Sequence, residues 1–185
     1  DMLYTGCRIS DLSFQMPLDA PVGITFNAIG EAREVYTVPV GSTWGTATTT
    51  GMIVTTAGSM QDNMSALTYL TEYSLNFSNG MSALHSLFQR GAYAVENGVF
   101  TASGSMSAYQ PDATLLTKFV DETDTNHLTK VQDLAGNYYR LYLPDVGYTA
   151  LSDPISGPGA HLHSYTFTAG YDSTASTTAR IERSV

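Results

Sequence analysis

The stretch Leu70–Ser78 reads Leu-Thr-Glu-Tyr-Ser-Leu-Asn-Phe-Ser, so apolar and polar side chains alternate along it. In an extended chain Tyr73, Leu75 and Phe77 point to one side, and Glu72 and Asn76 point to the other. A period of two is typical of a β-strand with one buried face and one polar face. This stretch therefore predicts a strand that lines a hydrophobic core.

The same alternation recurs on both sides of this stretch. It is found in Val22–Ala28, Val99–Tyr109, Tyr138–Leu143 and His163–Tyr171. In Cys7–Met16 the apolar positions change phase, from Cys7 and Ile9 to Phe14 and Met16. A change of phase predicts a β-bulge, or a strand whose two ends bury opposite faces.

Two segments have helical spacing of apolar residues. Leu115, Leu116, Phe119 and Val120 follow Asp112, which is a good N-cap residue. Met81–Gln89 has a similar spacing, and Gly91 is placed to end a helix there. Because short strands far outnumber helices, the fold class is mainly β: a β-sandwich or open barrel with one flanking α-helix.

A weak internal repeat connects the two halves of the chain. Asp11–Phe14 followed by Val22–Ala28 has the same character as Tyr73–Phe77 followed by Gly98–Gly104. The two pairs are either a duplicated hairpin unit or strands of ordinary β composition. In the second pair the longer connection holds the helix predicted at Met81–Gln89.

Composition limits the classes of function. The 185 residues carry a formal charge of −9, only 14% of them are charged, and 42 are Ser or Thr. The aromatic content excludes a disordered chain, and only two Lys are available to neutralise phosphates, which disfavours a protein that grips nucleic acid. A polar surface with so little charge indicates extensive contacts between subunits.

Residues 1–185 are expected to form a single domain with one long loop. The loop, 37–66, is rich in Thr and Gly and nearly uncharged, and a loop of this length is usually functional or disordered. We expect it to contact a neighbouring subunit. Its candidate contact residues are Trp44, Thr48, Met52 and Met60. The Ser/Thr-rich segment 172–185 ends in Ala179–Arg183, a candidate last strand.

No catalytic, metal or cofactor site is predicted. His161 and His163 have a metal-ligand spacing, but no third ligand lies at a matching spacing, so they are interpreted as polar residues beside a turn. The acids of Asp121–Asp124 are expected at a helix end and a solvated turn. The single cysteine, Cys7, is expected to be a buried structural thiol.

Several motifs, in order along the chain, carry a family resemblance. Tyr4–Phe14 reads Tyr-Thr-Gly-Cys-Arg-Ile-Ser-Asp-Leu-Ser-Phe and resembles the Gly-Cys-Arg motif of tail tube proteins from long-tailed bacteriophages. Gly23–Gly30 resembles the second strand of that family, Glu72–Asn79 its repeat of the first strand, and Gly136–Pro144 its penultimate sheet segment. The order and spacing of these motifs carry the resemblance.

The resemblance implies a structural protein of the virion tail, assembled in the cytoplasm of the host bacterium. Six copies would close a sheet into a ring, and rings would stack into a tube that meets other tail proteins at its ends. DNA would pass through without specific binding, because an acidic wall repels phosphates. Strand parity selects the candidate lumen-facing acids: Glu72 lies on the polar side of a clear strand, Asp11 lies in the equivalent strand of the repeat, and Glu31 and Glu34 follow the second strand. The alternative is that these four are ordinary solvent-facing acids on the outside of the tube.

Two other interpretations stay open at the level of sequence. One is a monomeric β-sandwich binding module, carbohydrate-binding or adhesin-like, in which some of the 12 Tyr would stack on sugars. The other is the tube protein of a contractile injection system, which shares the fold. Family members usually have more chain before the Gly-Cys-Arg motif, so this sequence either lacks an N-terminal part or is a shorter member.

Overall fold

The computed structural model describes residues 2–35, 37, 45, 53–109, 112–133, 135–154 and 161–184. Within them the chain is almost entirely β. The strands are β1 (Met2–Thr5), β2 (Arg8–Pro17), β3 (Gly23–Ile29), β4 (Ala32–Val35), β5 (Val54–Asp62), β6 (Ser65–Ala66), β7 (Leu70–Ser78), β8 (Ser82–His85), β9 (Ala92–Glu96), β10 (Thr101–Tyr109), β11 (Thr125–Gln132), β12 (Tyr138–Ser152), β13 (Leu162–Ala169) and β14 (Arg180–Arg183). The helix α1 spans Thr114–Val120.

One bent sheet dominates the described residues, with strand order β3-β2-β7-β10-β13-β12-β11-β5-β6. The 15-residue strand β12 makes the bend, because its first part pairs with β11 and its last part with β13. The two halves of the sheet pack face to face, as the 6.0 Å contact between the rings of Tyr73 in β7 and His127 in β11 shows. Strand β14 pairs with β12, which confirms the last strand predicted in the tail.

The core lies between the two halves, and it uses the side chains that the alternating pattern predicted. Tyr73, Leu75 and Phe77 of β7 are all buried, and Leu75 is only 1% exposed. Their neighbours on adjacent strands include Phe14, Met106, Leu141, Leu143, Tyr165 and Phe167. The mainly β fold with one flanking helix is therefore confirmed.

Helix α1 forms where the apolar spacing predicted it. The Asp112 carboxylate accepts the main-chain N–H of Thr114 at 2.9 Å, and Leu115 is buried against the core. The second predicted helix, Met81–Gln89, is wrong. That segment contains β8, which pairs with β9 in a hairpin, so its apolar residues follow a strand and a turn.

The phase change in Cys7–Met16 is a β-bulge, as predicted. Between Ile9 and Asp11 the register of β2 against β3 shifts, which leaves Ser10 as the extra residue. The repeat corresponds to two antiparallel pairs, β2–β3 and β7–β10, which lie side by side because β2 also pairs with β7. The connection within the second pair holds the β8–β9 hairpin instead of a helix.

The last part of the expected loop 37–66 is not a loop. It forms β5 and β6, and Met60 is 6% exposed in the core, because it faces the sheet interior opposite Thr129 of β11. Trp44, Thr48 and Met52 lie outside the described residues, so the expected subunit contact of this loop stays a prediction.

Candidate functional site

The face of the sheet that points away from the core is lined by small polar side chains. We call it the polar face. It consists of Asp11, Ser13, Gln15, Thr25, Asn27, Glu72, Ser74, Asn76, Ser78, Thr101, Ser103, Ser105 and Ser107, on strands β2, β3, β7 and β10. One row across all four strands shows the pattern. Ser13 lies opposite Thr25 and Asn76, and Asn76 lies opposite Ser103.

The residues that define the polar face are acidic or uncharged, and the acids are Asp11 and Glu72. One basic residue, Arg8 at the start of β2, lies on the same side of the sheet opposite Ile29, and it hydrogen-bonds Asn97. Two pairs of hydroxyls bond across neighbouring strands. The Ser74 and Ser105 Oγ atoms are 2.8 Å apart, and the Ser107 Oγ is 3.0 Å from that of Ser164 on β13. The exposed side of this surface therefore consists mainly of short neutral groups, with some negative charge.

Asp11 is held on the polar face by two hydroxyl groups. The Oγ of Ser78 donates to Asp11 Oδ1 at 2.7 Å, and the Oγ of Ser10 donates to Oδ2 at 2.8 Å. These hydrogen bonds lower the pKa of the Asp11 carboxyl below its usual value, and the bond from Ser78 has the largest effect. Asp11 is therefore negatively charged at neutral pH.

Of the four acids predicted to face a lumen, two lie on strands of the polar face and two lie outside those strands. Asp11 and Glu72 share the polar face, where Glu72 lies opposite Ser107. Glu34 lies on β4 and pairs with Leu3 of β1 in a separate small sheet. Glu31 follows β3, and its main-chain oxygen accepts the N–H of Ala92 at 2.8 Å.

The sheet ends at β3, and this edge is apolar. Strand β3 pairs with β2 on one side and with no strand of the described residues on the other. On its core side Ile24 is 49% exposed and Phe26 is 64% exposed. The sequence pattern predicted a buried side for this strand, and the described residues cover it only in part: Ile24 lines a small pocket with Phe14 and Ile53, whereas Phe26 stays mostly exposed. An exposed apolar edge strand is a template for pairing with another chain.

The other candidate chemical groups do not form a site. His163 is buried and its Nδ1 is 3.6 Å from Asp153 Oδ1, which is too long for a hydrogen bond. Within the described ranges no three His, Cys, Asp or Glu residues could hold a metal ion together. The acids Asp121–Asp124 are exposed after α1, as expected. Cys7 is exposed, so the prediction of a buried thiol is wrong: it precedes β2 and lies outside the core.

Sequence reasoning missed a buried polar cluster that joins α1 to the sheet. Asp62, which is 2% exposed, accepts hydrogen bonds from Lys118 Nζ at 2.8 Å, from the Tyr148 hydroxyl at 3.2 Å and from the Thr125 hydroxyl. The Nε2 of His127 is 3.1 Å from the same Tyr148 hydroxyl. These residues come from β5, α1, β11 and β12, so no local sequence motif predicts the cluster. We interpret the cluster as structural.

The pH dependence of stability should report on His127. Its burial lowers its pKa to about 4, so the folded protein keeps this imidazole neutral where the unfolded chain protonates it. Since the unfolded state then binds more protons, the free energy of unfolding should fall by about 3 kcal/mol as the pH drops from about 6.5 to 4. Urea unfolding at several pH values measures this slope.

The matched control for this experiment is His127→Gln, which keeps a polar side chain but does not titrate. In this variant the loss of stability between about pH 6.5 and 4 should become much smaller. An unchanged slope in His127→Gln would assign the effect to other groups.

Comparisons with known proteins give the following matches. The family model described as phage tail tube protein matches residues 1–169. No curated protein matches the chain. A solved structure described as the anti-feeding prophage cap, a tube-terminating cap, is similar with a TM-score of 0.50 and 8% identity, covering 78% of this chain and 98% of that one.

Two structures of gene transfer agent particles are also similar. A chain of the native virion has a TM-score of 0.47 and 16% identity, covering 70% of this chain and 97% of that chain. A chain from the tail of an empty particle has a TM-score of 0.46 and 18% identity, with coverages of 65% and 85%. In the part of the chain that the structure describes, no helix has the length and apolar character needed to cross a membrane.

Proposed function

The chain belongs to the phage tail tube protein family, and we propose that six copies of it close into a ring and that rings stack into a tube for DNA. It is a structural component of a phage tail. The observation that supports ring closure is the open β3 edge with Ile24 and Phe26 exposed beside it. Pairing this edge with a neighbouring copy removes the unpaired strand and covers both side chains.

We propose that the polar face lines the channel. The polar face lies on strands β3, β2, β7 and β10, and β3 is the open edge of this sheet. If the β3 edge of each copy pairs with a neighbouring copy, the polar face continues from copy to copy around a ring. Short hydroxyls and amides make up most of the wall, and Asp11 and Glu72 add negative charge to it. The basic residue on this side, Arg8, lies at the end of the strands and hydrogen-bonds Asn97. Such a wall repels DNA phosphates along most of its length.

The remaining parts of the proposal concern partners and location. The tube is proposed to meet other tail proteins at its ends and to assemble in the cytoplasm of the host bacterium. The role is non-enzymatic and needs no cofactor. Of the four candidate acids, Asp11 and Glu72 are proposed for the lumen wall because they lie on the polar face, whereas Glu31 follows β3 and Glu34 lies on β4 in another sheet. The likeness to a tube-terminating cap is a likeness of fold and does not favour a contractile injection system.

Cryo-electron microscopy of the purified protein tests this proposal. We expect stacked rings with an open channel, with Asp11 and Glu72 on the channel wall and the Thr/Gly-rich part of the segment 37–66 that precedes β5 against a neighbouring subunit. A protein that stays monomeric at high concentration would contradict the proposed assembly. Tubes with Glu72 on their outer surface would contradict the lumen assignment alone.

A further inference from the structure

The β8–β9 hairpin ends in an exposed apolar tip. Leu87 is 83% exposed and Phe88 is fully exposed at the turn, and Arg90 beside them is also exposed. Phe88 has a φ of +69°, a left-handed conformation that is unfavourable for a bulky residue. Backbone strain of this kind is concentrated at sites of function. We call Leu87, Phe88 and Arg90 the hairpin tip.

A pocket of about 380 Å³ lies at the end of the core, within the usual range for binding cavities. Its apolar lining comes from β2, β5, β7 and β11 and from the residues that directly follow β2 and β6. It includes Met16, Leu18, Met60, Leu67, Leu70 and Val131. The acids Asp19 and Glu72 also line it. Its one basic residue, Lys130, lies over the Tyr138 ring at 4.7 Å from the centroid. We call this the end pocket.

The hairpin tip and the end pocket belong to opposite ends of the same strands. Strand β7 begins at Leu70 in the end pocket and, about 30 Å further on, ends at Ser78 just before β8. The start of β2 confirms this placement, because Arg8 hydrogen-bonds Asn97 directly after β9, whereas Met16 at its other end lines the pocket. The tip of one copy therefore cannot fill the pocket of the same copy.

We propose that the hairpin tip of one copy inserts into the end pocket of the next copy along the tube. The apolar side chains of Leu87 and Phe88 match the apolar lining, and Arg90 approaches the acid Asp19. A head-to-tail contact between two different patches continues as an open stack unless its rotation closes a ring, and patches at opposite ends of the strands favour the stack. This inference rests on the proposed tube and adds a side-chain contact between successive rings.

Disulfide cross-linking in assembled tubes tests the contact directly. In a Cys7→Ser background, Phe88→Cys combined with Leu18→Cys should give a ladder of covalent multimers on a non-reducing gel after oxidation. The matched control is Tyr93→Cys with Leu18→Cys, because Tyr93 is 69% exposed on the same hairpin but lies outside its tip. The control pair should give no ladder.

Two single variants measure the strength and the charge pairing of the contact. Phe88→Ala should raise the protein concentration needed for tube growth about tenfold or more, because it removes a large apolar side chain from the contact. Arg90→Glu should block growth, and adding Asp19→Lys should restore it by reversing the pair.

The outcomes separate this inference from the proposed function. If the parent protein forms no tubes, the proposed function fails. If tubes form normally but the Phe88→Cys and Leu18→Cys pair gives no ladder, or no more than the control, the hairpin contact is wrong and the tube proposal stands. A pocket filled by a small apolar ligand or by another tail protein would leave Phe88→Ala with normal tube growth, which also overturns the contact.

Discussion

Replacing Phe26 by lysine is expected to abolish tube formation and leave the fold of the single chain intact. Phe26 is 64% exposed at the edge of the sheet, so a monomer loses little apolar burial when it is replaced. In the proposed ring the same side chain is covered by a neighbouring copy, where an unpaired ammonium group would be costly to bury. Lysine on an edge strand is also a common device that prevents strand pairing.

Electron microscopy and a thermal melt together measure this result. The variant should show no rings or tubes at concentrations where the parent protein assembles, and the Tm of its monomer should stay within a few degrees of that of the parent. Val120→Lys is the matched control, because Val120 at the end of α1 is similarly exposed, at 66%, and lies far from β3 in sequence. Normal tubes from Phe26→Lys would exclude β3 as the closing edge.

The alternating pattern was sufficient to predict the central strands, because burial on one face leaves a direct trace in the sequence. The pattern in Leu70–Ser78 identified Tyr73, Leu75 and Phe77 as core residues, and all three are buried. The same reasoning predicted a buried side for β3, where Phe26 is exposed. The alternating pattern predicts that an apolar side chain is buried. It does not distinguish burial within the same chain from burial against another chain.

The errors have separate physical causes. In Met81–Gln89 the apolar residues have helical spacing, but the segment forms a strand and a turn. The strand forms because it pairs with β9, where Leu84 lies opposite Ala94. A short apolar run does not distinguish the two on its own. Cys7 was expected in the core from its residue type, whereas its place before β2 leaves it exposed.

The buried cluster around Asp62 was beyond prediction because its members are far apart in sequence. Asp62 meets Lys118, 56 positions away, and Tyr148, 86 positions away. Only the folded sheet brings them together, and the ion pair was not visible in the composition or the charge pattern. The polar face is predictable in part, since strand parity selects both Asp11 and Glu72, which the register places on one face.

Replacing Asp62 by alanine is expected to lower the free energy of unfolding by about 3–5 kcal/mol. The change leaves the Lys118 ammonium, whose side chain is 18% exposed, without its carboxylate, and it removes the acceptor of the Tyr148 and Thr125 hydroxyls. In a chain of this size the Tm should fall by about 10 °C or more. Chemical and thermal unfolding measure both quantities, and Asp121→Ala, an exposed acid at the end of α1, should change them little.

The double variant Asp62→Leu with Lys118→Met distinguishes a structural ion pair from a cluster whose charges serve assembly. When both charges are removed together, no ion is left buried without a partner, so the double variant should be more stable than Asp62→Ala despite its two substitutions. It should also form tubes as the parent does, because Asp62 and most of Lys118 are shielded from any neighbouring copy. A stable double variant that fails to assemble would contradict the structural interpretation and would assign the pair a role in subunit contacts.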